Sequence, residues 1–197
     1  MRVEITSKSF NGTKILGAIS FVVENGKFVA VDGPSGIGKT TLLRIIAGLE
    51  VDFDGQIVDR PSVGMVFQEP RLLPWLTVSQ NIAVVVDLPA KHPAITRLLK
   101  DTGLAAHADK YPAILSLGQA RRAALARALV IEPELLLLDE PFVSLDQETA
   151  ETMQKLVTEL VNVRSCAVVM VTHNHNEALL LSDRVISLGG NPAVICV

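Results

Sequence analysis

Gly33-Pro34-Ser35-Gly36-Ile37-Gly38-Lys39-Thr40-Thr41 stands between an apolar run, Phe28 to Val31, and a helically spaced segment, residues 39 to 47 (KTTLLRIIA). Glycines let backbone N–H groups turn toward an anion without Cβ obstruction. Lysine and threonine then open a helix, whose N-terminus adds a favourable field for negative charge. Strand, glycine-rich loop and Lys-Thr helix start make up the pattern of a loop that cradles phosphates. In that reading Lys39 reaches the β and γ phosphates and Thr40 ligates Mg²⁺, while Gly33, Pro34, Ser35, Gly36, Gly38 and Thr41 belong to the cradle. An ordinary glycine-rich turn would match the four defining positions by chance in about one percent of chains this size.

Outward from the loop, apolar runs of strand length recur at Val63 to Phe67, Leu135 to Leu138, Ala167 to Val171 and Val185 to Leu188, and none of them alternates. A strand that is apolar on both faces belongs inside a parallel sheet covered by helices, so the expected class is α/β. The first helix has a C-cap in Gly48, and Ser116 precedes a long Ala, Arg and Leu segment that ends before Pro133. Asn11-Gly12 and Asn25-Gly26 mark turns between short strands, which makes roughly residues 1 to 30 an antiparallel β part. Residues from about 72 to 131 lean helical. A length of 197 residues with no repeat or linker reads as one domain with subdomains.

Composition narrows the partners. A formal net charge of −3 provides no general basic field, which argues against nucleic acid. Hydrophobic residues make up 49% of the chain but aromatic ones only 4%, so the core is aliphatic. Every apolar run falls far short of the roughly 20 residues that span a bilayer. The start, Met-Arg-Val-Glu-Ile-Thr, has no apolar leader, and Cys166 and Cys196 form no disulfide framework, so a reducing cytosol is the expected compartment.

Leu135-Leu-Leu-Leu-Asp139-Glu140-Pro141 sets two carboxylates directly after a buried strand, at the sheet edge where α/β proteins bind ligands. Asp139 suits Mg²⁺, and Glu140 is then placed to orient or deprotonate an attacking water. Taken alone, the same run is equally a strand entering a solvated turn. Together with the phosphate loop it indicates a P-loop NTPase, and a small-molecule kinase of this size would also fit.

Leu115-Ser116-Leu117-Gly118-Gln119 resembles the LSGGQ motif of ABC ATPases, and its position ahead of Asp139 also suits that family. The resemblance covers residues 3 to 188 and implies a P-loop NTPase fold. That fold has a RecA-like parallel core with helices on both faces, an N-terminal antiparallel β part and an inserted helical subdomain. In the same register Phe10 stands where the family places an aromatic ring against adenine. Gln68 matches the Q-loop glutamine, Asp146 the D-loop and His173 the switch histidine.

The resemblance implies that ATP is sandwiched between two head-to-tail copies, with Ser116, Gly118 and Gln119 completing the partner's site and Asp146 beside them. It also implies ATP hydrolysis that drives integral membrane permease subunits from the cytoplasmic face, with a substrate-binding protein as an indirect partner. Within importers, Phe67-Gln-Glu-Pro-Arg-Leu-Leu-Pro-Trp-Leu-Thr-Val looks closest to the nitrate, sulfonate and taurine group. Gln68 and Asp139 would assist Mg²⁺, and Trp75 and Leu76 would offer apolar contact to the permease.

Each motif has a plainer reading. Phe10 suits a hairpin, Gln68 a strand end, and Asp146 the N-cap of a helix starting at Gln147. His173 and His175 are separated by one residue with no nearby Cys, a poor metal pair. The cluster of Arg121, Arg122 and Arg127 reads as a solvated helix face.

Leu117 occupies the first glycine of the signature. If its φ is positive it costs on the order of 1 kcal/mol or more, and its side chain crowds the approach to phosphate. A module that binds nucleotide with impaired hydrolysis is therefore an alternative. With Val197 soon after the last expected strand, no C-terminal regulatory domain is expected.

Overall fold

A computed structural model describes Met1–Cys196. In chain order the elements are β1 (Arg2–Phe10), β2 (Thr13–Leu16), β3 (Ile19–Val22), β4 (Phe28–Asp32), α1 (Lys39–Ile46), β5 (Asp54–Val58) and β6 (Val63–Val66). The helices α2 (Val78–Ala83), α3 (Pro93–Asp101) and α4 (Leu117–Leu129) follow, then β7 (Leu135–Asp139), α5 (Gln147–Arg164), β8 (Ala167–Thr172), α6 (His175–Leu181), β9 (Arg184–Gly189) and β10 (Val194–Ile195). Among the described residues no helix is long and apolar enough to cross a membrane.

The apolar runs become the sheet that their lack of alternation predicts. Six strands lie in the order β10-β9-β4-β8-β7-β6, parallel from β9 through β6, with β10 antiparallel at one edge. Every residue of β4, β7 and β8 is buried. Alternate side chains feed two cores. Leu136, Leu138, Val168 and Met170 pack with α2 to α6, whereas Leu135, Leu137, Val169 and Val171 pack with α1 and the antiparallel strands. Each fully buried aliphatic side chain of this kind contributes about 1.5–3 kcal/mol, so the sheet is held from both faces.

β1 carries the second sheet. It pairs antiparallel with β2, β3 and β5. β5 (DGQIV) escapes a sequence reading because its residues are polar or only half-buried; it joins through backbone pairing with a strand about fifty residues upstream. Lys8 on β1 is 2% exposed, because it donates to Glu50 (3.1 Å) and to the Asp52 carbonyl. Burial opposes its charge, yet the carboxylates of Glu50 and Asp52 outweigh that and raise its pKa above the ordinary lysine value.

The sheets meet at the phosphate loop. Gly38 has φ 109°, a backbone conformation that strains any L side chain, and a Cβ there would also press on Leu16 Cδ2 at 2.6 Å.

Candidate active site

Three adjacent strands end at one edge. The parallel registers set Asp32 beside Thr172 and Asp139 beside Val171, so β4, β8 and β7 deliver the loop stem, the 173–175 segment and the Asp139-Glu140 pair to one place. Lys39, first residue of α1, is 4% exposed and donates to the carbonyls of Gly33 (2.7 Å) and Pro34 (3.0 Å). Its ammonium is also 3.7 Å from Glu140 Oε1. Such a buried, anchored cation at the mouth of a glycine loop is suited to bind an anion.

Thr40 Oγ1 donates to Asp139 Oδ1 at 3.0 Å. Burial pushes the Asp139 pKa up, while the Thr40 hydroxyl and the more distant Arg44 and Lys39 pull it down. Glu140 adopts φ 46°, a left-handed conformation uncommon for a glutamate, and its N–H donates to the Val171 carbonyl at 3.0 Å. That turn aims its carboxylate across the edge, where Oε2 lies 2.9 Å from His173 Nδ1. One carboxylate thus links the phosphate-loop lysine to the histidine at the end of β8.

Gln68 is exposed and lines a cleft of about 420 Å³ together with Thr40, Leu117, Arg121, Asp139 and Ser144. Thr40, Asp139 and Gln68 offer oxygens of the kind hard divalent cations prefer, while Arg44, Arg71 and Arg121 line the same cleft with positive charge.

The other predicted residues, Phe10, Ser116, Gly118, Gln119 and Asp146, make none of these contacts and are held by partners of their own. Phe10 closes β1 on the other sheet, 43% exposed, with the Lys8 ammonium 4.3 Å from its ring centroid. Ser116 caps α4: its hydroxyl accepts from the Gln119 N–H (3.3 Å) and Gln119 Oε1 accepts from the Ser116 N–H (3.0 Å). Gln119 Nε2 meets His107 Nε2 at 3.1 Å, so that side chain is engaged at both ends. Gly118 is buried, and a Cβ on it would stand 2.7 Å from Thr149 Cγ2. Asp146 caps α5, accepting from the Thr149 N–H (3.0 Å) and hydroxyl (2.7 Å), and these bonds hold its pKa below the usual carboxylate range.

Leu117 is the first residue of α4, and it is not among the residues with positive φ. Its backbone is therefore unstrained, and only its half-exposed side chain bears on the cleft.

The arginines of α4 correct the sequence reading of a solvated face. Arg121 is buried and donates to the Pro141 carbonyl at 3.1 Å; Arg122 donates to the Thr102 carbonyl at 3.3 Å. Arg127 donates to the carbonyls of Arg71 (2.8 Å) and Pro70 (3.0 Å). Burial lowers the pKa of Arg121 and Arg127 from the ordinary guanidinium value. Their partners are backbone carbonyls of loops far away in sequence, which charge patterning along one helix does not reveal.

The ABC transporter family profile matches residues 16–143. The chain is 45% identical over 202 residues to the aliphatic sulfonates import ATP-binding protein SsuB 2 of Burkholderia lata, covering 98% of this chain and 74% of that protein. It is 50% identical over 182 residues to SsuB of Granulibacter bethesdensis, covering 92% and 76%. Among solved structures, the dimeric post-hydrolysis state of the ATP-binding cassette MJ0796 bound to ADP and Pi superposes with a TM-score of 0.80 at 28% identity, covering 99% of this chain and 96% of that one. The cbiO1 protein of Clostridium perfringens, part of the ABC transporter complex cbiONQ, gives 0.85 at 28% identity, covering 100% and 86%. A glycine-rich loop opening on Lys39, a strand that ends in buried Asp139 before Glu140 and a helix capped by Ser116 thus stand in a chain that belongs to the ABC transporter family, as an ATP-binding and ATP-hydrolysing member.

Proposed function

We propose that two copies of this chain, each a single ATPase domain, bind two ATP molecules between them and drive an importer of a small solute from the cytoplasmic face of the membrane. The observation that carries the reading is the convergence of Lys39, Thr40, Asp139, Glu140 and His173 on one sheet edge. The SsuB relatives are import proteins, and the organosulfonates they are named for are the first solutes to test with this chain.

In this mechanism the loop amides from Ser35 to Thr41 and the Lys39 ammonium bind the β and γ phosphates. Thr40, Asp139 and Gln68 would hold Mg²⁺, which would neutralise phosphate charge. Glu140 accepts a proton from the attacking water, and its bond to His173 sets which way the carboxylate faces. His173 in turn donates to the γ-phosphate oxygens. Phe10 stacks on adenine, backed by the Lys8 ammonium.

The partner copy brings the Ser116 hydroxyl, the first amides of α4 and Asp146 to the far side of the γ-phosphate. Gln119 acts there by holding the Ser116 cap, and Gly118 by letting α4 approach α5. Trp75, 69% exposed, and Leu76 face integral permease subunits, which a substrate-binding protein supplies.

Phosphate release from MgATP by the chain assembled with its permease tests the function. Steady release that Lys39→Ala reduces at least about tenfold is expected from loss of a charge-assisted contact. Release unaffected by Lys39→Ala would overturn the assignment of the site.

A further inference from the structure

His175 has no part in the mechanism above, yet it makes the one polar contact of a buried carboxylate. Asp32 is the last residue of β4, directly before Gly33, and its side chain is 9% exposed. Its Oδ2 is hydrogen-bonded to His175 Nδ1, and its Oδ1 is buried with no partner among the described residues. A buried carboxylate with one partner depends strongly on it, because losing that bond leaves the group desolvated and unmatched.

The position of the pair gives it a consequence. Thr172 ends β8 beside Asp32, His173 follows, Asn174 caps α6, and His175 is the first residue of that helix. Besides the Asn174 N–H bond to the Thr172 hydroxyl, the segment is tied to neighbouring strands at two points. His173 bonds Glu140 at the end of β7, and His175 bonds Asp32 at the stem of the phosphate loop. Apolar packing adds little there, since Ala178 is the only buried residue of α6. Asn174 alone separates the two ties, so a shift at His175 is transmitted to His173.

We propose that Asp32 and His175 are a positioning pair for hydrolysis: their hydrogen bond registers the 173–175 segment against the phosphate-loop stem and so fixes where His173 stands beside Glu140. The pair touches neither the water nor the phosphates and acts through His173. The inference rests on the hydrolytic roles proposed above for Glu140 and His173.

The test is steady-state hydrolysis of MgATP by the assembled transporter carrying His175→Ala, His175→Asn or Asp32→Asn, beside the unaltered chain. Asn at 175 places its amide nitrogen where the ring's Nδ1 stands, and Asn at 32 keeps an acceptor for the ring N–H. Misplaced catalytic groups lose one to two orders of magnitude in rate, so kcat of His175→Ala should fall about tenfold. KM for ATP should stay within about twofold, and both Asn variants should recover to within about threefold of the unaltered chain. The side chain of His175 is 58% exposed, so its replacement leaves a folded protein to measure.

Normal kcat in His175→Ala, or an equal loss in His175→Asn, overturns the pair. A raised KM with unchanged kcat overturns it too. Glu140→Gln in the same assay separates the two readings: if it turns over normally the hydrolytic assignment fails and takes the pair with it. If it is slow while His175→Ala is normal, the pair alone fails.

Discussion

His173 Nδ1 and Glu140 Oε2, thirty-three residues apart in sequence, stand 2.9 Å apart across the ends of two neighbouring strands. The contact makes the carboxylate's orientation a property of the sheet rather than of a mobile loop. Glu140→Gln should keep ATP bound but hydrolyse it about 10² to 10⁴ times more slowly. With ATP retained, the chain should elute as a dimer from a sizing column, and normal turnover would remove Glu140 from the role.

Leu117 tests a departure from the signature pattern. Its backbone is unstrained, so whatever cost it carries lies in the side chain at the cleft with Gln68 and Asp139. Leu117→Gly should raise ATP turnover of the assembled transporter by a few-fold. Glycine inside a helix costs about 1 kcal/mol, so the melting temperature should drop by about 2–4 °C. A lower turnover with glycine would contradict crowding.

Two carboxylates bias stability with pH in opposite directions. The Phe28 amide and then Lys27 hold the Asp183 pKa low, so its contribution is present above about pH 4 and is lost as pH falls through the folded value. Burial holds Asp139 high, so its contribution is present in acid and is lost as pH rises through its folded value. Melting curves from pH 3 to 8 should show Asp183→Asn less stable at neutrality, with the gap closing in acid. Asp139→Asn should be more stable by a few degrees at neutrality, with that gap also closing in acid. A gap that widens in acid for either variant would refute the assigned sign.

What the sequence disclosed was local. The loop from Gly33 to Thr41 and the five apolar runs carry their own signals, because a glycine cradle and a strand buried on both faces are written in contiguous residues. The α/β fold was legible for that reason. The contacts that complete it join distant residues. Lys8 looks like a solvated lysine until Glu50 and Asp52 fold over it, and β5 looks like a polar loop until β1 pairs with it.

The site divides the same way. Residue types at Lys39, Thr40, Asp139 and Glu140 were readable, whereas the meeting of Glu140 with His173 depends on strand order β4-β8-β7. The plainer reading of Asp146 as a cap describes its bonds here, and the solvated reading of Arg121 and Arg127 does not.

The two bonds from Arg127 to the carbonyls of Pro70 and Arg71 fasten the stretch after Gln68 to the far end of α4. A shove delivered near Trp75 therefore reaches that helix as through a bolted lever, with little slack for the intervening loop to absorb. Ser116 caps the opposite end of the same helix, with unbroken α4 between it and the bolt.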